Sequence, residues 1–178
     1  IQESVFSPDG ARLATASFDG TVAVWDLDTS LAGGEVVPLF TLPHEAIVLG
    51  VAFSPDGQLL ATAAGREGVI VWDAVTGEKL RTMDPGTNTN HVAFSPDGQY
   101  LTSVGFDAAI NVWDPYSGQL IDRRANAHNT TIQTAAFNSD GTRLSSSGND
   151  NTARIWEFSD GELGQNLFTF GGHTDTIG

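Results

Sequence analysis

The sequence predicts an all-β chain of repeated blades, each of four antiparallel strands, and three observations carry that reading. The segment Phe-Ser-Pro-Asp-Gly begins at Phe6, Phe53 and Phe94, and a variant copy begins at Phe137. A Trp stands nineteen positions after each Phe, at Trp25, Trp72, Trp113 and Trp156. Both series are spaced 47, 41 and 43 residues apart, so the length variation falls outside the Phe-to-Trp segment. A period in the low forties, closed by Trp-Asp, is the mark of a propeller blade.

Each unit reads in the same order. An apolar strand ends at the Phe, and Ser-Pro-Asp-Gly then turns the chain, with Pro presetting φ and Gly accepting a positive one. In the fourth unit Ser139 replaces Pro but Asp140 and Gly141 remain, so that turn is expected to survive. Seven residues after each Phe a Leu (Leu13, Leu60, Leu101, Leu144) opens a second strand of small residues, which suit crowding near a central axis. A hairpin leads to a third strand ending at the Trp. One and three residues before each Trp stand Val24 and Val22, Val71 and Val69, Val112 and Ile110, Ile155 and Ala153, an apolar face for the next blade. The position two before the Trp (Ala23, Ile70, Asn111, Arg154) is less demanding.

Outer strands are expected over Val36 to Leu42, Lys79 to Met83, Gln119 to Arg123 and Gln165 to Phe170. The connection Asp28 to Glu35, with Gly33-Gly34, accounts for the longer first spacing and is expected to be an exposed loop. The blades fall at about 1–42, 43–83, 84–125 and 126–170 of one domain, and 171–178 reads as the start of a further repeat. No helix signal of useful length appears.

Composition narrows the function classes. Without Cys there is no disulfide framework, thiolate metal site or cysteine nucleophile, and no metal or other cofactor is expected. No run approaches a membrane span, so no membrane partner is expected. The start, IQESVFSPDG, has neither an initiator Met nor a signal-peptide layout and reads as a cut inside a longer, cytoplasmic protein. Eight Lys and Arg against 22 acids argue against nucleic acid, whose phosphates need clustered cations. Eleven of those acids (Asp9, Asp56, Asp97, Asp140, Asp19, Asp107, Asp150, Asp26, Asp73, Asp114, Glu157) sit in repeat turns, hairpins or after the Trp, and so are repeat chemistry rather than a patch.

The Phe-Ser-Pro-Asp-Gly turns and Trp-Asp pairs resemble the WD-repeat family over essentially the whole chain, and the near-uniform turns resemble bacterial arrays of it. That resemblance implies a structural tetrad of His, Ser or Thr, hairpin Asp and Trp. Blade four has the full set, His128, Ser146, Asp150 and Trp156. Blade two has His44, Thr62 and Trp72 with Arg66 in the Asp position; blade three has Ser103, Asp107 and Trp113 with Pro85 in the His position; blade one has Thr15, Asp19 and Trp25. His91 is off-pattern, and His173 is on-pattern for a further repeat. A Ser-His-Asp set invites a catalytic reading. Its fragments recur in every blade beside a Trp, however, as structural groups do, so no catalytic residue is assigned.

The resemblance further implies that partners bind the rim built from the loops leading into the inner strands and from the hairpins before the third strands. The matching positions are Gln2, Ile47, Leu49, Asn88, Asn90, Thr131 and Gln133 from the loops, and Phe18, Gly65, Phe106 and Asn149 from the hairpins. None is a carboxylate, and Phe18 and Phe106 stand at hairpin tips where polar residues are usual. They would serve as anchors for a protein or peptide, or else each would fold over its own hairpin and cover the neighbouring blade. Arg66 lies close to this face.

The expected function is a non-catalytic protein-interaction scaffold, the sensor or docking module of a larger signalling protein. Its rivals are an enzyme propeller, as in some hydrolases, and a purely structural element that self-associates through open blade edges. A segment of a longer array, a closed four-blade ring and two chains completing eight blades remain open, the segment ranked first.

Overall fold

In the computed structural model, residues 1–28 and 37–175 are described, and they form sixteen strands in four antiparallel sheets. Blade one holds β1 (Glu3–Phe6), β2 (Arg12–Ala16), β3 (Thr21–Asp26) and β4 (Pro38–Pro43). Blade two holds β5 (Gly50–Phe53), β6 (Leu59–Ala63), β7 (Val69–Asp73) and β8 (Lys79–Met83). Blade three holds β9 (Thr89–Phe94), β10 (Leu101–Gly105), β11 (Ile110–Trp113) and β12 (Leu120–Arg124). Blade four holds β13 (Ile132–Phe137), β14 (Arg143–Gly148), β15 (Ala153–Ser159) and β16 (Glu162–Phe170). The all-β blade architecture is therefore the one the repeats predict.

The turns work through side chains as well as φ. In blade two the Ser54 hydroxyl donates to Asp56 (2.6 Å) and accepts from the Leu59 amide (2.9 Å), while Gly57 takes φ 70°. In blade four Asn138 does the same work: its Oδ1 accepts from the Arg143 amide (2.9 Å) and its Nδ2 donates to Asp140 (2.7 Å). The turn survives the loss of Pro because its hydrogen bonds come from the first and third positions.

Three strand expectations shift, the smallest at β12, which runs Leu120–Arg124 rather than Gln119 to Arg123. β4 begins at Pro38, and the expected loop between Asp28 and Glu35 lies, beyond Asp28, outside the described residues. In blade four the third strand runs past Trp156 to Ser159 and the outer strand starts at Glu162, not Gln165. The cause is the two-residue turn Asp160-Gly161, both at positive φ (52° and 84°), whose twist joins the strands directly. The extension buries Phe158, which packs edge-on against Tyr100 and Phe137 at 5.5 and 4.8 Å.

The core lies between blades rather than within one. Ala14, Ala16, Val22, Val24 and Leu42 of blade one bury against Val51, Leu60, Ile70 and Trp72 of blade two. Ala61, Val69, Val71 and Met83 of blade two meet Val92, Leu101 and Trp113 of blade three, and Val104, Ile110 and Val112 of blade three meet Ile132, Leu144 and Trp156 of blade four. Each Val, Leu, Ile or Met side chain among these contributes about 1.5–3 kcal/mol on burial. The inner strands pack in the order β1, β5, β9, β13. No comparable interface joins blade four back to blade one among the described residues, so the sheets form an open arc.

Candidate functional site

The rim is positioned by a hydrogen-bonded group repeated from blade to blade. In all four blades the Trp indole N–H donates to the second-strand hydroxyl: Trp25 to Thr15 (3.0 Å), Trp72 to Thr62 (3.2 Å), Trp113 to Ser103 (2.8 Å) and Trp156 to Ser146 (2.9 Å). In blade four His128 pairs with Ser146 through Nε2 (2.8 Å) and with Asp150 through Nδ1 (2.9 Å). A carboxylate can only accept, so Nδ1 carries the proton and Nε2 accepts from the Ser146 hydroxyl. Asp150 also accepts from the Asn129 amide (3.0 Å) and from the Thr152 hydroxyl (2.7 Å). Burial pushes against ionisation of Asp150, but the hydrogen bonds from Thr152, His128 and Asn129 outweigh it and hold the carboxyl far below the usual range. Ser146 is buried and engaged on both sides, so this triad of residue types builds structure rather than presenting a nucleophile.

Blades two and three, which lack the Asp and the His, are repaired by residues the sequence reading missed. In blade two Glu67, one place beyond Arg66, accepts from the Glu45 and Ala46 amides (2.7 and 3.3 Å) and so holds the loop that Asp150 holds in blade four. His44 turns Nδ1 to the Leu42 carbonyl instead (3.1 Å), and its pKa is lowered, chiefly by burial. In blade three Arg123 reaches from β12 to Asp107 (2.7 Å) and to the carbonyl of Pro85, the residue in the His position (3.4 Å). In blade four Arg154 adds a fifth member, bonding Asp150 (3.3 Å) and the Ala127 carbonyl (2.6 Å). The position two before the Trp is thus not idle in that blade. A carboxylate one residue late was visible in the sequence; the two arginine contacts depend on reach between strands and were not.

These bonds set the hairpins and loops around a cavity of about 470 Å³ spanning blades one to three. Six of the eleven expected rim residues line it: Phe18, Ile47, Leu49, Gly65, Asn88 and Phe106. Phe18 and Phe106, at the tips of the blade-one and blade-three hairpins, are 56% and 55% exposed, and neither joins a core cluster. Gln2, Leu49, Asn90 and Gln133 surround a second cavity of about 300 Å³ among the inner strands. Asn90 is buried there and donates its amide to the Ile132 carbonyl (3.0 Å). Thr131 and Asn149 lie over blade four, where the Asn149 amide donates to the Thr131 carbonyl (2.9 Å) and Gln133 donates to the Asn149 side chain (2.8 Å).

The charge pattern differs from the sequence expectation. The eleven positions hold no carboxylate, yet Asp19 and Glu45 both line the larger cavity. Asp19 accepts from the Thr21 hydroxyl (2.6 Å), which lowers its pKa and keeps it anionic. Arg66 lines the same cavity, is exposed, and makes no hydrogen bond or ion pair among the described residues. Among the described residues the cavity therefore offers apolar walls, one cation without a hydrogen bond or ion pair, and two carboxylates. Among the described residues no three His, Cys, Asp or Glu side chains gather to hold a metal, and no helix is long and apolar enough to cross a membrane.

No curated protein matches the chain. The family model described as WD domain, G-beta repeat matches it four times, over residues 3–26, 36–73, 77–114 and 122–157. These matches take in all four Trp residues and the first three strands of every sheet but for the last two residues of β15, and the chain belongs to the WD-repeat family.

Proposed function

We propose that the chain is a non-catalytic docking scaffold that binds an extended peptide or protein loop over blades one to three, with Phe18 and Phe106 as anchors. WD repeats generally mediate protein–protein interaction, and one observation carries the narrower reading: two half-exposed Phe side chains from separate hairpins, with Ile47 and Leu49, line one cavity. Large apolar anchors seated in a pocket supply most of the binding energy in such interfaces. The amide of Asn88 and the charges of Arg66, Asp19 and Glu45 would set register at the margin. The excess of acids, 22 against eight Lys and Arg, disfavours nucleic acid as the partner. Within a larger cytoplasmic signalling protein this face would act as the sensor or docking element, and the open blade edges offer a separate route to self-association.

The test is selection of peptides from a displayed random library on the wild-type chain, followed by affinity measurement on Phe18→Ala and Phe106→Ala. At least tenfold weaker binding with unchanged melting is expected. Selected peptides that bind both variants as tightly as wild type would remove this face as the docking site.

A further inference from the structure

The charges on the wall of the larger cavity stand in a fixed order, because hydrogen bonds tie each bordering element to the next. The blade-one hairpin, with Phe18 and Asp19, meets the loop into blade two through the Ser17 carbonyl, which accepts from the Val48 amide (3.1 Å). That loop carries Glu45, and Glu67 of the blade-two hairpin holds it by accepting from the Glu45 amide (2.7 Å). The same hairpin presents Arg66 and bonds onward through the Gly65 carbonyl to the Thr89 amide (2.9 Å). In the loop that follows, the Asn88 carbonyl accepts from the Phe106 amide of the blade-three hairpin (3.1 Å). From blade one to blade three the wall therefore runs Phe18, Asp19, Glu45, Arg66, Asn88, Phe106: apolar, negative, negative, positive, amide, apolar.

All three charged side chains face water, and the fold leaves them unpaired with one another. Asp19 uses Oδ1 to accept from the Thr21 amide and hydroxyl (3.0 and 2.6 Å), and Oδ2 has no bond among the described residues. Glu45 and Arg66 are exposed, and neither side chain makes a hydrogen bond or ion pair among the described residues. An uncommitted cation is scarce in a chain with eight Lys and Arg. Arg12, Arg81, Arg123, Arg124 and Arg154 bind carbonyls or carboxylates, and Lys79 lies over the Trp72 ring. That leaves Arg66 and Arg143, and Arg66 is the one on the cavity wall.

Opposite charges held apart along one groove are not matched by a ligand of a single sign. A wholly acidic segment would face Asp19 and Glu45, a wholly basic one would face Arg66, and a segment with the two signs reversed would meet like charge throughout. We propose that the partner is a peptide segment with an apolar residue at each end, a Lys or Arg beside the end seated on Phe18, and an Asp or Glu beside the end seated on Phe106. The basic residue lies against Asp19 and Glu45, and the acidic one lies against Arg66. This inference rests on the docking reading of the cavity and adds to it the charge order and the direction of the bound segment.

The experiment uses the peptides selected on the wild-type chain, each remade with its basic and acidic residues exchanged. Both forms are titrated calorimetrically into the wild type, Phe18→Ala, Phe106→Ala and the double variant Glu45→Lys with Arg66→Glu, and circular dichroism melting is the folding control. The exchanged peptide should bind the wild type about tenfold more weakly, because attractive contacts become like-charge contacts, and should recover on the double variant, where the parent peptide weakens in turn. In a double-mutant cycle, Ala in place of the apolar residue on the basic side should couple to Phe18→Ala and not to Phe106→Ala. Should the double variant fail to fold, Glu45→Gln with Arg66→Gln takes its place and should narrow the difference between the two peptides. Peptides that need both Phe side chains yet bind equally in either charge order, or that couple in the opposite direction, overturn this inference and leave the docking face standing. Peptides indifferent to both Phe variants remove the docking face and this inference with it.

Discussion

Replacing Asp150 by Ala should destabilise the chain far more than the same change at Asp107, although the two occupy one repeat position. Asp150 is 6% exposed and receives bonds from His128, Asn129, Thr152 and Arg154, and the His128 side chain is fully buried. Its removal leaves the buried His128 N–H with only the long contact to the Thr152 hydroxyl (3.4 Å), a loss of about 1–3 kcal/mol. It also strips the partly buried Arg154 of its counter-charge, and the whole change comes to about 3 kcal/mol. Asp107 is held by Arg123, itself 40% exposed, and by a long bond from the Ala109 amide (3.3 Å). An ion pair in such contact with water is worth under about 1 kcal/mol. Urea denaturation at pH 7 would read the difference as a midpoint drop of roughly 1 M or more for Asp150→Ala against a few tenths for Asp107→Ala. Equal midpoints would refute the claim that blade four's network is a unit.

Acid should weaken the fold in two stages. Burial depresses the folded pKa of His44 and His128, so below about 6.5 the unfolded chain takes up protons that the folded chain refuses, and stability falls with pH. Asp150 has a depressed folded pKa, so its contribution is full above about 4 and is lost as pH falls further; a melting temperature flat from pH 8 to 5 would contradict the first stage. Gly105→Ala should cost about 3 kcal/mol, because a Cβ there would overlap the Asn88 carbonyl that accepts from the Phe106 amide, while Gly171→Ala, with nothing nearby, should leave the melt unchanged.

What the sequence disclosed was set by period. The Phe and Trp series located the strands because every blade must repeat the same face to bury it, and Val22, Val24, Val69, Val71, Ile110 and Val112 are accordingly buried. Of the replacements, Glu67 was visible as a carboxylate one residue late, whereas Arg123 was hidden because it arrives from the outer strand, outside the motif. The longer strands of blade four had a signal in Asp160-Gly161, a pair suited to a two-residue hairpin, which the repeat template masked. At the rim, position alone identified Phe18 and Phe106, but not that Asp19 and Glu45 would join them, since lining depends on how three blades curve together.

The placement of the cavity relative to the tetrads carries a further argument. Blade four, with the complete network, uses its hairpin Asp to hold its own loop, and that carboxylate is 6% exposed and unavailable to a partner. In blade two the loop-holding task passes to Glu67, which frees position 66 to be an exposed Arg on the cavity wall. In blade three Arg123 holds Asp107 from the side, and the tip beside it is the exposed Phe106. Departures from a structural motif are expected where a site needs the position for something else. The two blades that depart from the tetrad by substitution both contribute to the cavity, and the blade that keeps it does not. Restoring the motif with Arg66→Asp should therefore weaken the peptides selected on the wild type while leaving stability unchanged or higher. A loss of stability without any change in binding would show that Arg66 is a worn motif position and no part of the docking face.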